Sequence, residues 1–182
     1  MSQDRPKRPA VLVFDVNETL SDMSPMAERF EDVGSPPHMA KTWFAGLLRD
    51  GFALTAVNAS ESFSLIAAEA LRVILDPRSL NRETEQAVQH IMDGFSGLQV
   101  HLDVLEGIRA LSDLGIRLVT LSNGSASVAE GLLERAGLRD HFERLLSVED
   151  AGVWKPAAGA YAYAHEQCGV DPKDAMLVAA HP

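Results

Sequence analysis

Residues 11–20 read Val11-Leu12-Val13-Phe14-Asp15-Val16-Asn17-Glu18-Thr19-Leu20. Four apolar residues in a row predict a fully buried strand, and it ends on a carboxylate that cannot remain buried without a partner. In an open α/β sheet the C-terminal end of a parallel strand is where ligands bind. Asn17 and Thr19 follow closely, so the loop presents an acid, an amide and a hydroxyl together. That set suits a carboxylate acting as a nucleophile. The alternative for this segment alone is an Asp that caps the next helix.

Two later segments stand in a compatible order. Ile116-Arg117-Leu118-Val119-Thr120-Leu121-Ser122-Asn123-Gly124-Ser125 is a second apolar strand ending in a hydroxyl and an amide. Leu145-Leu146-Ser147-Val148-Glu149-Asp150 then leads into Gly152-Val153-Trp154-Lys155-Pro156. With these segments the chain resembles the haloacid dehalogenase superfamily, whose first three motifs are a nucleophilic Asp, a strand-end Ser or Thr, and a Lys before Pro. Asp15, Ser122 and Lys155 match them in turn. The resemblance covers nearly the whole chain. It is strongest to the type II haloacid dehalogenases, above all at Leu121-Ser122-Asn123-Gly124-Ser125 and Lys155-Pro156.

At 182 residues the chain is long enough for one domain with an insertion. Its 46% apolar and 23% charged residues are ordinary for a soluble globular protein. A net charge of −10 argues against a nucleic-acid or anionic-membrane surface. The single Cys168 excludes an intramolecular disulfide and a Cys-rich metal site. No apolar run approaches the roughly 20 residues that span a bilayer, and residues 1–9 lack the apolar stretch of a signal peptide. A cytoplasmic protein is the expectation.

Ser24-Pro25 opens a helical pattern that Gly34-Ser35-Pro36-Pro37 breaks. From about His38 to Leu75 apolar residues recur at helical spacing, with Asn58-Ala59-Ser60 as a candidate N-terminal cap inside the run. Asp76-Pro77 ends it, and a further helix is predicted from about Asn81 to Gly94. Strand–helix alternation then resumes. Helices are expected near 104–114, 126–136 and 159–168, and strands at 117–121, 145–148 and 175–180. Repeated βα units imply parallel strands with right-handed crossovers. The expected fold class is α/β: a Rossmann-like parallel-sheet core with an inserted helical cap. Residues 1–24 and 96–182 form the core and 25–95 the cap.

The chemistry follows residue by residue. Asp15 attacks the substrate to form an ester that water hydrolyses. Lys155 keeps Asp15 ionised and oriented. Thr19 hydrogen-bonds the nucleophile, and Ser122 and Asn123 sit where a helix N-terminus binds anions. Asn17 discriminates. The superfamily's phosphatases usually carry a second Asp at that position as a general acid for the alkoxide leaving group, a step that contributes typically about 10²–10⁴-fold in rate. An amide cannot donate that proton. Halide, a weak base, leaves without one. No cofactor is expected, and Mg²⁺ enters only under the phosphatase alternative.

The sequence also departs from the type II pattern. Asn17 stands where those enzymes carry Tyr, and Glu18 where they carry Gly. Their cap Arg falls in register with Phe44, while Lys41 and Arg49 are the nearest bases. Phe44 is expected to line an apolar pocket. Tyr161 matches the family six residues after Lys155 and is expected to polarise that pocket. Val16, Asn17, Asn123, Phe44 and Tyr161 are therefore the candidate substrate-binding residues, with Asp15, Thr19, Ser122 and Lys155 catalytic. Near the family's fourth motif stand Ala179 and His181. The chain stops before that motif's acid, so a C-terminally truncated core is expected, with apolar surface left uncovered.

The reading is a hydrolytic dehalogenase releasing halide from short 2-haloalkanoic acids through an aspartyl ester. A Mg-dependent phosphatase and an inactive binding module are the alternatives. The expected partner is the small-molecule 2-haloacid, with no nucleic acid and no membrane; resemblance adds a possible homodimer through the cap helices.

Overall fold

The protein is described by a computed structural model over residues 8–180. His181 lies outside the described residues. Four strands, β1 (Val11–Phe14), β2 (Arg117–Ser122), β3 (Arg144–Ser147) and β4 (Ala175–Val178), form one sheet in the order β3-β2-β1-β4. Every pairing is parallel: Phe14 stands beside Thr120 and Val178, and Ser122 beside Ser147. Asp15, Asn123 and Val148 therefore leave the sheet on the same edge. Strand β1 is fully buried, as its unbroken apolar run requires.

Side chains alternate across the strands and seed two apolar layers. Leu12, Phe14 and Leu118 face Ile108 on α5 (Val104–Asp113) and Ala129, Leu132 and Leu133 on α6 (Ala126–Arg135). Val11, Val13, Val119 and Leu121 face the other way, toward Ala160, Ala164 and Cys168 on α8 (Ala158–Cys168). That second layer continues without a gap into four helices inserted between β1 and α5: α1 (Met26–Glu31), α2 (Met39–Ala56), α3 (Phe63–Ile74) and α4 (Thr84–Ser96). Trp43 is the hub of this unit. It is fully buried, donates its indole N–H to Ala67 O at 2.9 Å, and meets Phe30, Phe44 and Phe95 edge-on or tilted.

Three boundaries differ from the sequence expectation, each for a local reason. Asn58 does not start a helix. It adopts φ +57 at the end of α2, the left-handed role that Asn shares with Gly. The cap of α3 is Ser62, whose Oγ accepts from Leu65 N–H at 3.3 Å. Asn81 does not open α4 either, because its side chain and its backbone N–H are committed to Asp32 O and Val33 O. Finally, Val148 belongs not to β3 but to a short helix, α7 (Val148–Ala151), which Ser147 caps through Glu149 N–H.

Gly51 sits inside α2, where glycine costs roughly 1 kcal/mol relative to alanine. A Cβ there would overlap the Trp154 indole, 2.5 Å from Cζ3 and 2.7 Å from Cδ2. Strand β4 is an edge of the sheet, and its Met176 and Leu177 are exposed. Among the described residues no helix is long and apolar enough to cross a membrane.

Candidate active site

Asp15 leaves β1 with its carboxylate held from three directions. Oδ1 accepts the Lys155 ammonium at 2.7 Å and the Val16 N–H at 2.8 Å. Oδ2 accepts the Thr19 hydroxyl at 3.2 Å. Thr19 Oγ1 in turn accepts Ala180 N–H at 2.9 Å, tying the loop after β1 to the segment after β4. The Asp15 and Lys155 side chains are 20% and 11% exposed, so the pair is only partly screened by solvent.

Lys155 is itself clamped. Asn123 accepts Lys155 N–H at 2.9 Å through Oδ1 and donates from Nδ2 to Lys155 O at 3.4 Å. A two-ended bond of this kind fixes the peptide from which the ammonium projects. It also explains why Asn123 is buried at a strand end: both ends of its amide are satisfied. Ser122 turns inward on its own loop, accepting Gly124 N–H at 2.9 Å, which leaves its hydroxyl hydrogen to donate elsewhere. Ser147 completes the turn by donating to Gly124 O at 3.0 Å.

Asn17 stands across from this turn, its Nδ2 3.8 Å from where a Gly124 Cβ would lie. Phe63 approaches the same point at 3.9 Å, so the helical insertion reaches the loops of the sheet edge. Tyr161 is within the field of Asp15: burial first, and the Asp15 charge second, hold its phenol above the usual tyrosine range. The Val16 side chain is buried in the α5–α6 layer, so its backbone N–H is what it offers to the site. Phe44 packs edge-on against Trp43 with ring centroids 6.4 Å apart. Arg49 is paired with Asp50 on the outer face of α2 and supplies no cation to Asp15.

The sequence reading missed four contributors. Trp154 and Phe63 stack at 6.0 Å with 12° between their planes. Glu149 Oε1 accepts Phe63 N–H at 3.2 Å, a core carboxylate placed at the first turn of α3. Arg135 donates to Ser96 O and Leu98 O, fastening the chain as it returns from α4. Trp154 and Glu149 shortly precede the Lys-Pro motif, which was the available signal. Phe63 and Arg135 carry no local mark of their partners.

A cavity of about 10 Å³ lies between the loop after β1 and α4 and α6, bordered by Val16, Asn17, Ser21, Phe95 and Leu132 among others; neither Asp15 nor Lys155 lines it. A larger apolar groove, about 570 Å³, lies on the outer face of α2 and α3 and touches neither Asp15 nor Lys155. Among the described residues no group of three or more His, Cys, Asp or Glu side chains is placed to hold a metal ion.

A family model described as haloacid dehalogenase-like hydrolase matches residues 9–178. The (S)-2-haloacid dehalogenase of Pseudomonas sp. (strain YL) is 26% identical over 172 residues, which span 93% of this chain and 74% of that protein. The pyrimidine 5'-nucleotidase YjjG of Escherichia coli (strain K12) is 32% identical over 109 residues, 60% of this chain and 45% of its own. The L-2-haloacid dehalogenase of Xanthobacter autotrophicus, solved with chloropropionic acid covalently bound, superposes with a TM-score of 0.82 at 23% identity, covering 93% of this chain and 69% of that one. This last likeness is one of fold.

Proposed function

The chain belongs to the haloacid dehalogenase-like hydrolases, and from that premise we propose that it hydrolyses the carbon–halogen bond of short 2-haloalkanoic acids. Asp15 attacks the carbon bearing the halogen, halide leaves, and water cleaves the resulting aspartyl ester. Lys155 holds and aligns the acid, Thr19 fixes its second oxygen, and Ser122, Asn123, Asn17, Phe44 and Tyr161 shape the space for the acid substrate. We take residues 25–95 as the cap over this site.

The observation that carries the proposal is an Asp15 carboxylate paired with Lys155 at 2.7 Å, with an amide, Asn17, two residues further along the same loop. A site so equipped has a nucleophile and no proton donor at the position where an alkoxide leaving group needs one. Halide needs none. Carboxylate attack on carbon also has no polyanion to neutralise, which is why the proposed reaction runs without a divalent cation.

The test is halide release from 2-chloropropionate and chloroacetate, with and without chelator. Release that chelation leaves unchanged is expected. Silence toward every haloacid, together with Mg²⁺-dependent phosphate release from small esters, moves the assignment to a phosphatase, the second reading that the nucleotidase relative favours.

A homodimer belongs to the same reading. The groove between α2 and α3 exposes Val57, Leu65 and Val73, and its rim carries both signs of charge in Arg49, Glu61 and Glu69. An apolar face with mixed charge around it suits a self-complementary twofold contact. Sedimentation is expected to give a dimer, and Val73→Glu a monomer. A parent protein that sediments as a monomer sinks this part.

A further inference from the structure

We infer that Trp154 is a positioning residue: its indole, seated in the helical insertion, sets where the neighbouring Lys155 ammonium meets Asp15. The inference rests on the reading of Asp15 and Lys155 as catalytic. It adds a dependence of that pair on α2 and α3.

Trp154 is almost fully buried, and both of its N–H groups donate to the helical insertion. Its backbone N–H donates to Thr55 Oγ1 on α2 at 3.1 Å. Its indole N–H donates to Glu61 O, just before α3, at 3.3 Å. The ring lies flat on Phe63 at the first turn of α3, and its other contact surface fills the place of the missing Gly51 side chain. Backbone, ring edge and ring face are thus each fixed by the insertion. The very next peptide is clamped by Asn123 of the core, and its side chain reaches Asp15.

One residue therefore lies at the junction of two supports. Asn123 holds the N–H and C=O of Lys155 from the core side, and Trp154 anchors the residue immediately before it from the insertion side. Charge placement at a reacting group is sensitive to such support: a shift of about 1 Å costs on the order of 10²-fold in rate. Gly51 is the position that tests it without substituting Trp154, Lys155 or Asp15. Adding one methyl group there pushes directly on the indole.

The experiment compares the full chain with Gly51→Ala and Thr55→Val. It reads kcat and KM for 2-chloropropionate, and the rate at which acetic anhydride acetylates Lys155 relative to exposed Lys173, mapped by mass spectrometry. Gly51→Ala is expected to lower kcat about 10–10²-fold with KM little changed, and to raise acetylation of Lys155 relative to Lys173. Amide exchange in β1 and β2 is expected to stay as in the parent. Thr55→Val, which keeps volume and removes the hydroxyl that accepts Trp154 N–H, is expected to shift both readouts less and in the same direction; it carries the test alone if Gly51→Ala does not fold. An unchanged acetylation ratio in the folded variants overturns the inference, as does a kcat loss that merely tracks loss of amide protection in β1 and β2. If the parent releases no halide, the functional reading fails separately and the acetylation ratio alone decides.

Discussion

Asp15→Asn is expected to abolish halide release, with a loss of at least about 10⁴-fold. The amide nitrogen and oxygen are poor nucleophiles, and among the described residues no other carboxylate is paired with Lys155. The same change leaves the Lys155 ammonium, 11% exposed, without its anion. Removing a charged hydrogen-bond partner costs about 1–3 kcal/mol, which for a chain of this size lowers Tm by about 2–4 °C per kcal/mol. Activity and stability therefore fall by amounts of very different size. The check is halide release beside thermal unfolding, with mass spectrometry of the quenched parent for the substrate acid, less its halogen, attached to Asp15. An Asp15→Asn protein that turns over haloacid at the parent's rate refutes the nucleophile.

Lys155→Met is expected to lower kcat about 10²–10³-fold, the usual consequence of deleting one charged donor from a preorganised site. Methionine fills nearly the same volume at this buried position, so the loss reports charge and hydrogen bonding instead of a cavity. Asp15 keeps Val16 N–H and the Thr19 hydroxyl and remains a nucleophile, which is why a residual rate is expected here and not for Asp15→Asn. Because both residues act on one bond, the double variant is expected to be no worse than Asp15→Asn alone. Fully additive losses show instead that the two side chains act independently, contrary to their 2.7 Å contact.

Strand β1, its terminal acid, and the pairing of Asp15 with Lys155 across most of the chain were legible because each leaves a local signature. An apolar run, a polar strand end and a Lys-Pro step can all be read in place. Asn58 was misread because Asn serves at both ends of helices, and only its left-handed φ of +57 tells which. The short helix at Val148 was hidden by a β-branched residue directly after a strand pattern. Trp154 shows the deeper limit. Periodicity announces that a residue is buried but not what it is buried against, and its partners Gly51, Thr55 and Phe63 lie on two helices far back in the chain. Phe44 was legible as an aromatic in the insertion; its edge-on seat on Trp43 was not.

The two oxygens of Asp15 are not equivalent. Oδ1 receives two strong donors and Oδ2 a single, longer one. Lone pairs least engaged are the most available, so in the proposed reaction Oδ2 attacks and becomes the bridging atom of the ester. Oδ1 then remains as the ester carbonyl, already facing the Val16 amide and the lysine. When water adds to that carbonyl, negative charge gathers on the atom those two donors hold, so the groups that steadied the attacking acid serve as the oxyanion hole for its release.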